Sequence, residues 1–514
     1  ALQLARIIFT FTVEKTGRHS DEIWGYGLAN SYYKPYLFMT NDEETDTYAN
    51  EWVDSQVFTD YITVGEEDRF AYDSVLSNMK IDSHPPLFYL ALHTVSSIFQ
   101  GTYSLWYGFA IGLVCFVILE IYLFKLGRFL TKSNLWGLLL VAFYGFSIGA
   151  LNTYIFVRQY SMVTMFAGML IYYHARVMFA KEKKELRNSL IMLAVSTAGG
   201  CLTHYYFLVY AFMHAAVFFV WFALKKQGKK LLSYSLVMLG SVLVTFTISG
   251  AGEMLGLTGG PDLSGGQEVE KYLIAGSGIF SALLGMVSSV TDILYDPFFD
   301  KSFNTILDCV LYDLFGIDID PALPYWLIHG VLIVGLIGLF LVLAAWAIAA
   351  NSKDYEGRLY KGSVKLVGQL KKINAFQLLI LAYALAVTFE HYIVIGFSSP
   401  MIMGIHTNRY IFMTYPAICL IFMLVTKKLV ERVMGFAKQR KEKNSDNTQK
   451  KEEVLGGNGV IVVTATIMLA LGILNNICSE STYLFKRVEN PVMLEEAVKG
   501  RDVIMSLSDH WLMV

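Results

Sequence analysis

The sequence predicts an all-α polytopic membrane protein, and three observations indicate that fold class. Of its 514 residues, 55% are hydrophobic and only 16% are charged, whereas soluble domains carry about 25% charged residues. Many apolar runs approach or reach the roughly 20 residues that a membrane-spanning helix needs. Lysine and arginine collect in the short segments between these runs, as is typical of cytoplasmic loops.

The candidate crossings follow from the apolar runs. They are residues 105–126, 135–157, 161–180, 189–203, 205–224, 231–250, 326–350, 376–398, 410–426 and 459–477. Residues 1–13 are apolar but too short to cross alone, and we expect them to end a first transmembrane helix. Residues 85–99 are also apolar, but a full crossing there would place every basic loop that follows on the outer side of the membrane. We therefore expect an interfacial or re-entrant segment there, and about 11–13 transmembrane helices in total.

The basic residues predict the orientation of the chain. Five short segments hold 27 of the 41 lysines and arginines: 125–134, 176–188, 225–230, 351–375 and 427–453. The long segments 14–84 and 251–324 hold only five and two. Because cytoplasmic loops are rich in Lys and Arg, the five basic segments are predicted to face the cytoplasm. The two long segments are then large extracytoplasmic loops, outer loop one and outer loop two.

Two domains are expected. Residues 1–477 form the transmembrane domain with its two outer loops. Residues 478–514 follow the last crossing and are predicted to lie outside the cytoplasm. Their pattern of one amphipathic helix and one short apolar strand indicates the start of a small C-terminal α/β segment, and we expect the given sequence to stop inside that unit.

Charge and cysteine content exclude two classes of function. The net charge is −2, so the chain lacks the cationic excess of a nucleic-acid-binding protein. The five cysteines show no C-x-x-C spacing, which argues against a disulfide framework and against a cysteine-type zinc site.

Five polar clusters fall on the predicted outer side. They are Asp21 with Glu22, His84, Arg158 with Tyr160, His204 with Tyr205, and His406 with Arg409 and Tyr410. Each has a structural explanation: adjacent acids occur in polar loops, Pro85 after His84 is a common helix start, and interfacial Arg and Tyr often contact lipid headgroups. Each also has a functional one, since carboxylates act as general bases or metal ligands.

Taken together, the clusters indicate chemistry on a phosphate. An acidic pair, two arginines and three histidines share one predicted face of the membrane. A reaction that expels a phosphate needs a base for the nucleophile and cations for the developing charge. Arginine provides bidentate contacts to phosphate.

The same residues resemble the motifs of polytopic GT-C glycosyltransferases, of the bacterial family 39 type related to protein O-mannosyltransferases and lipid A aminoarabinose transferases. The motifs, in order, are Asp21-Glu22 within SDEIWGYGLANSYY, His84-Pro85-Pro86-Leu87, Val157-Arg158-Gln159-Tyr160, Thr203-His204-Tyr205 and Asn408-Arg409-Tyr410. The resemblance covers about residues 1–477 and implies a GT-C fold.

The resemblance also implies a reaction. The donor would be a dolichyl- or undecaprenyl-phosphate sugar, transferred with inversion at the outer face of the bacterial cytoplasmic membrane to a protein, a lipid or a cell-wall polymer. Asp21 would be the general base or a metal ligand, with Glu22 in support. Metal use differs within the family, so a divalent ion is an open expectation for this acidic pair.

The other motif residues would bind the donor. The lipid phosphate is expected to face His84, Arg158 and Arg409, with Tyr160, His204, Tyr205 and Tyr410 nearby. The lipid A branch carries a lysine beside its HPPL-like motif, whereas this sequence has Ser83, which argues against an aminoarabinose donor.

Two alternatives stay open from the sequence. A transporter or flippase of a lipid-linked saccharide would place charges at mid-membrane, and Glu120 and the Glu390-His391 pair are such residues. A noncatalytic membrane scaffold is the other alternative, and it leaves the clustering on the outer face unexplained.

Overall fold

A computed structural model describes residues 1–15, 19–37, 54–82, 84–249, 310–315, 361–365, 368, 372–398 and 405–442, and the single positions 463, 466 and 470. Every regular element in these ranges is helical, which confirms the all-α prediction for the part described. The predicted crossing at 326–350, nearly all of outer loop two and the C-terminal segment 478–514 lie outside the described residues. Most of the crossing at 459–477 lies outside them as well.

Five helices precede the long apolar ones. They are α1 (Leu2–Phe9, followed by a π-helical turn at Thr10–Glu14), α2 (Ser20–Asn30), α3 (Gln56–Ile62), α4 (Tyr72–Asp82) and α5 (Leu87–Ile98). α5 begins directly after its N-cap, Pro86. Its 12 residues span about 18 Å at 1.5 Å per residue, less than the bilayer core. This length agrees with the prediction that residues 85–99 do not cross fully.

The remaining elements include the long apolar helices. They are α6 (Trp106–Thr131), α7 (Asn134–Gly145), α8 (Ile148–Ile155), α9 (Tyr160–Phe179), α10 (Lys183–Cys201), α11 (Tyr206–Leu224), α12 (Gly228–Ser249), α13 (Ala375–Ser398), a 3-10 helix (Ile405–Thr414) and α14 (Tyr415–Glu442). Five stretches of the described chain are long and apolar enough to cross a membrane: α6, α9, α11, α12 and Arg409–Gly435.

The run predicted as one crossing at 135–157 is bent. α7 and α8 meet at 61° and together form a sixth candidate span. Ser147 explains the break, because its hydroxyl caps α8 by accepting from the backbone N–H of Ala150 at 3.0 Å. Side-chain caps of this kind satisfy the free N–H groups of a new helix. The apolar run therefore contains a helix start that hydropathy alone does not show.

The helix α9 is the core of the bundle, because it is the most buried of the candidate spans. Close packing elsewhere relies on small residues: a Cβ on Gly127 of α6 would lie 2.9 Å from Cα of Gly137 of α7. Membrane helices associate through such close contacts, since lipid gives no hydrophobic drive for their association.

The two ends of this bundle differ in their residues. At one end lie the start of α2, residues 155–160, residues 202–206 and Arg409; we call it the site end. The N–H of Leu87 joins α5 to this end by donating to Leu202 O at 2.9 Å. At the other end lie the basic segments 125–134, 176–188 and 225–230, where Lys230 Nζ donates to Ala180 O at 3.1 Å. We call this the basic end, and it groups segments that the charge pattern predicts to share one side.

Candidate functional site

The start of α2 fixes the position of the acidic pair. His19 caps the helix, with Nδ1 accepting from the backbone N–H of Asp21 at 3.1 Å. In return Glu22 Oε2 accepts from the backbone N–H of His19 at 2.9 Å. This reciprocal arrangement is a capping box, with His in the position more often held by Ser or Thr. It holds Asp21 in the first turn of the helix.

Glu22 is directed into the protein. Its side chain is inaccessible and forms an ion pair with Lys15, whose side chain is only 3% exposed. Glu22 Oε1 also accepts from the backbone N–H of Val157 at 2.8 Å, and Lys15 Nζ donates to Ile155 O at 2.9 Å. These contacts use both oxygens of Glu22. They join α2 to the segment that carries Arg158.

Arg158 lies directly behind Asp21. It is 5% exposed, and its Nη1 donates to the backbone carbonyl of Asp21 at 3.0 Å. The guanidinium lies over the ring of Tyr89, 5.7 Å from the centroid. Gly25 permits this approach, because a Cβ there would lie 3.2 Å from Nη1. Among the described residues the buried Nε of Arg158 has no hydrogen-bond partner.

Arg409 reaches the same carboxylate from the far end of the sequence. Its Nη1 lies 3.4 Å from Asp21 Oδ2 and 3.1 Å from His19 Nε2. Its Nη2 donates to the hydroxyl of Tyr410 at 3.2 Å. Asp21 therefore lies between two arginines, with one contact through its carboxylate and one through its backbone.

These charges determine the protonation of the two titratable groups on α2. Burial alone would raise the pKa of the Asp21 carboxyl, but Arg158 and Arg409 outweigh it and hold that pKa below its ordinary value. Burial lowers the pKa of His19, although the charge of Asp21 opposes the shift. At neutral pH the site therefore contains an anionic Asp21 and a neutral His19.

An aromatic wall of Phe156, Tyr160 and Tyr410 lines the site. Tyr160 stacks on Phe156 at 5.5 Å and lies 5.5 Å from the ring of His204. The Tyr410 ring is 6.0 Å from Tyr160. Aromatic side chains at a membrane interface combine an apolar body with a polar tip, so this wall can contact both a lipid chain and a sugar.

His204 adds a neutral hydrogen-bond donor to this wall. Burial, and then the nearby His84, Arg158 and Arg409 side chains, lower the pKa of His204 to about 3. Its Nδ1 accepts from the backbone N–H of Tyr206 at 3.2 Å. Since a neutral imidazole has one donor and one acceptor, the proton is on Nε2.

His84 lies at the rim of the site and has a carboxylate partner of its own. Its Nδ1 lies 2.5 Å from Asp82 Oδ2, and the Tyr36 hydroxyl donates to Asp82 Oδ1 at 3.2 Å. The His84 ring is 6.2 Å from that of Tyr89, the tyrosine on which Arg158 rests. Carboxylates that bind one histidine nitrogen orient the other, so Asp82 controls how His84 faces the site.

The structure brings together most of the residues singled out from the sequence. Asp21, Arg158, Tyr160, His204, Arg409 and Tyr410 share one cluster, with His84 at its rim. Glu22 is directed instead toward Lys15, and Tyr205 hydrogen-bonds Ser249 at the end of α12. The side chain of His406 lies outside the described part of the structure.

Four contributors were missed from the sequence: Lys15, His19, Asp82 and Tyr89. The spacing of His19 three residues before Glu22 is a capping-box signal that could have identified one of them. Asp82 and Tyr89 carry no comparable signal, because their roles depend on how α4, α5 and residues 156–159 pack.

The acidic pair does not fit the divalent ion that the sequence left open for it. Asp21 faces guanidinium groups rather than further anionic ligands, and both oxygens of Glu22 are already occupied. Within the described residues, no group of three or more His, Cys, Asp or Glu side chains could hold a metal ion. The cluster is instead suited to binding an anion next to a charged carboxylate.

Comparison with known proteins gives a structural similarity and no family match. No protein-family model matches the chain, and no curated protein matches it. Among solved structures, the chain is similar to the archaeal oligosaccharyltransferase AglB from Archaeoglobus fulgidus, in complex with an inhibitory peptide and a dolichol-phosphate. The identity is 12% and the TM-score 0.38, over 94% of this chain and 56% of the AglB chain. This chain thus spans little more than half the length of that protein.

Proposed function

We propose that this chain is a GT-C glycosyltransferase of the family 39 type. It transfers a sugar from a polyprenyl phosphate, undecaprenyl phosphate in a bacterium, to an acceptor at the outer face of the cytoplasmic membrane. The observation that carries this proposal is the position of Asp21 at the site end: Arg409 lies 3.4 Å from its carboxylate, and Arg158 donates to its backbone carbonyl at 3.0 Å. A base and an anion-binding site then lie side by side, next to an aromatic wall.

The proposed reaction is a single inverting displacement. The hydroxyl oxygen of the acceptor forms a bond to the anomeric carbon, and its proton passes to Asp21. The bond between that carbon and the phosphate oxygen breaks, and the lipid phosphate leaves with the electron pair. The phosphate charge changes from about −1 to about −2, and the guanidinium groups of Arg158 and Arg409 stabilise the added charge.

The arginine pair also couples the basicity of Asp21 to donor binding. Without a donor, the two guanidinium charges hold the pKa of Asp21 low, which makes it a weak base. A bound phosphate neutralises these charges, so the pKa of Asp21 rises toward its ordinary value. The carboxylate is then a stronger base when the donor is present than when it is absent.

The other residues have supporting roles in this proposal. The Nε2–H of His204 and the imidazole of His84 complete the phosphate site. Tyr160 and Tyr410 contact the sugar and the first isoprenoid unit. Glu22 is a positioning residue, because its contacts hold α2 against the segment of Arg158. Tyr205 fixes the α10–α11 turn that carries His204.

A donor panel tests the proposal. Purified full-length protein is incubated with undecaprenyl-phosphate sugars, and release of undecaprenyl phosphate is measured for wild type, Asp21→Asn and Asp60→Asn. Asp60 is the matched control, since it is an exposed carboxylate that bonds Gln56 on α3. We expect turnover of one donor, a loss of roughly 10²- to 10⁴-fold in Asp21→Asn, and no change in Asp60→Asn.

A binding measurement with undecaprenyl phosphate tests the donor class separately from the role of Asp21. Undecaprenyl phosphate is expected to bind to wild type and to Asp21→Asn, because the asparagine leaves both arginines in place. Normal turnover by Asp21→Asn would show that Asp21 is not the general base. Failure of the folded wild type to bind undecaprenyl phosphate would exclude polyprenyl-phosphate sugars as the donor class. Binding without turnover of any donor, with acceptors of all three classes supplied, would favour a transporter.

A further inference from the structure

A second polar site lies at the basic end of the bundle. A cavity of about 490 Å³ opens there between α6, α9 and α10; we call it the basic-end cavity. Its lining includes Lys125 from α6, Tyr172, Tyr173 and Arg176 from α9, and Lys184 and Asn188 from α10. It lies on the opposite end of α9 from Tyr160, so it is separate from the site described above.

The charges of this cavity are suited to an anion. Lys125, Arg176 and Lys184 face it together with two carboxylates, Glu182 and Glu185. Arg176 neutralises Glu185 through an ion pair at 2.7 Å. Within the described part of the chain, no carboxylate lies within ion-pair distance of Lys125, whose Nζ lies over the Tyr122 ring at 5.1 Å. The cavity therefore has an excess of positive charge.

Neutral donors add to this charge. The helix α10 starts at Lys183, and its N-cap residue, Glu182, makes no side-chain cap hydrogen bond. The first turn of α10, with its free N–H groups and the positive end of the helix dipole, lies beside the cavity, because Glu182, Lys184 and Glu185 line it. The Tyr173 hydroxyl, which pairs with that of Tyr122 at 2.9 Å, supplies another donor. Cationic side chains, a helix start and a hydroxyl group are features of phosphate sites.

The surfaces beside the cavity are apolar. Ile121 lies one turn from Lys125 on α6 and is 47% exposed, and Ile191 lies one turn from Asn188 on α10 and is 54% exposed. Val117 and Val195 continue these exposed surfaces toward the middle of the membrane. A soluble anion would gain nothing from them, whereas acyl chains would bury them.

We propose that the basic-end cavity binds the phosphate headgroup of an anionic phospholipid, with its acyl chains along α6 and α10. The basic loops predict that this end faces the cytoplasm, and the cytoplasmic leaflet is where anionic lipids attract juxtamembrane lysines. Lys125 is the principal contact, because no carboxylate of the described structure pairs with it and it lies on α6 one turn from the exposed Ile121. The proposal does not depend on the reaction at the site end.

Lipid titration of the purified full chain tests this site. Native mass spectrometry measures binding of phosphatidylglycerol and of phosphatidylcholine with the same acyl chains to wild type, Lys125→Gln, Lys125→Arg and Lys229→Gln. Lys229 is the matched control, an exposed lysine at the same end that does not line the cavity. We expect one preferentially bound phosphatidylglycerol, weakened roughly tenfold in Lys125→Gln and retained in the other two variants.

The same titration can overturn the proposal. Equal affinity for both lipids, or unchanged phosphatidylglycerol binding in Lys125→Gln, would show that no anionic headgroup is bound at Lys125. An equal loss in Lys229→Gln would indicate general surface charge. Glycerol phosphate is added as a competitor: no displacement supports a lipid, and displacement at the concentration of the lipid itself would indicate a site for a free phosphate. Melting temperatures of all variants establish that they fold.

Discussion

The site end and the basic end of the bundle hold their charges in opposite ways. At the site end Lys15, Glu22 and Arg158 are almost completely buried, and each contacts a part of the chain that is distant in sequence. At the basic end the paired side chains of Arg176 and Glu185 are each about 30% exposed. Both ends contain ion pairs, but only the site end has an ion pair, Lys15 with Glu22, that is buried away from water.

This difference indicates what each charge does. A buried charge destabilises a protein unless it is paired and hydrogen-bonded, so the site-end charges are held by specific geometry. An exposed charge is solvated by water, so its direct effect on the stability of the fold is small. We expect equal substitutions to have large, specific effects at the site end and small ones at the basic end, and four predictions test this.

The largest effect on stability is expected from Glu22→Gln. The substitution keeps the size of the side chain but leaves Lys15 charged and buried without its anion. Breaking one side of a buried ion pair costs about 3–5 kcal/mol. The melting temperature of the purified protein in detergent measures the loss, which should exceed the loss in Arg176→Lys and in Glu431→Gln at the basic end.

A double variant separates charge from shape in this prediction. Lys15→Met with Glu22→Gln removes both charges, while the glutamine oxygen still accepts one backbone N–H. We expect the double variant to melt above Glu22→Gln alone. If the double variant is less stable than the single one, lost hydrogen bonds rather than an unpaired charge explain the effect.

The next effect compares the same substitution at both ends, Arg158→Lys and Arg176→Lys. Lysine keeps the charge but loses the planar fork that contacts the Asp21 carbonyl and rests on Tyr89. Under the proposed function, kcat/KM for the sugar donor falls roughly 100-fold in Arg158→Lys and is unchanged in Arg176→Lys. Equal kcat/KM in the two variants would contradict a specific phosphate contact by Arg158.

The sequence predicted the location of the site better than the direction of its side chains. Asp21 and Glu22 are neighbours on α2, and adjacent residues of a helix point to different sides. Only one of them can face the cluster, and tertiary packing decides which. From the sequence, Glu22 is expected to support Asp21 in the site; in the structure its side chain pairs with Lys15. The contact of Arg409 with His19 joins residues 390 positions apart, which no local pattern specifies.

The fold also divides into features that the sequence predicts and features that it misses. The long apolar runs predicted α6, α9, α11 and α12, because hydrophobic length is what a bilayer requires. The bend between α7 and α8 was missed, since one capping serine interrupts the helix without lowering the hydropathy of the run. Composition therefore predicts the spans, while single hydrogen bonds determine where they break.

A third prediction uses pH, to which the two ends respond differently. The pKa of His204 is about 3 in the folded protein and about 6.5 when it is unfolded. Between these values the unfolded chain binds the extra proton, so stability falls as pH decreases below 6.5. The loss from His204 is about 1.4 kcal/mol per pH unit, or about 2 kcal/mol between pH 7.5 and 5. Within the described residues, no histidine lines the basic-end cavity.

His204→Asn is the matched variant for this measurement. Asparagine can accept from the N–H of Tyr206 as Nδ1 does, but it does not titrate. We expect the melting temperature to fall less between pH 7.5 and 5 in His204→Asn than in wild type. The same fall in both proteins would mean that another group sets the pH dependence.

The smallest effect is expected at the ion pair of Lys427 and Glu431, one turn apart on α14 near the basic end. Glu431 is 56% exposed, and such pairs contribute about 0.3–0.5 kcal/mol. The acid lies C-terminal to the lysine, the less favourable order on a helix. Glu431→Gln makes the same chemical change as Glu22→Gln, and we expect no measurable shift in melting temperature. A loss as large as that of Glu22→Gln would show that burial does not distinguish the two ends.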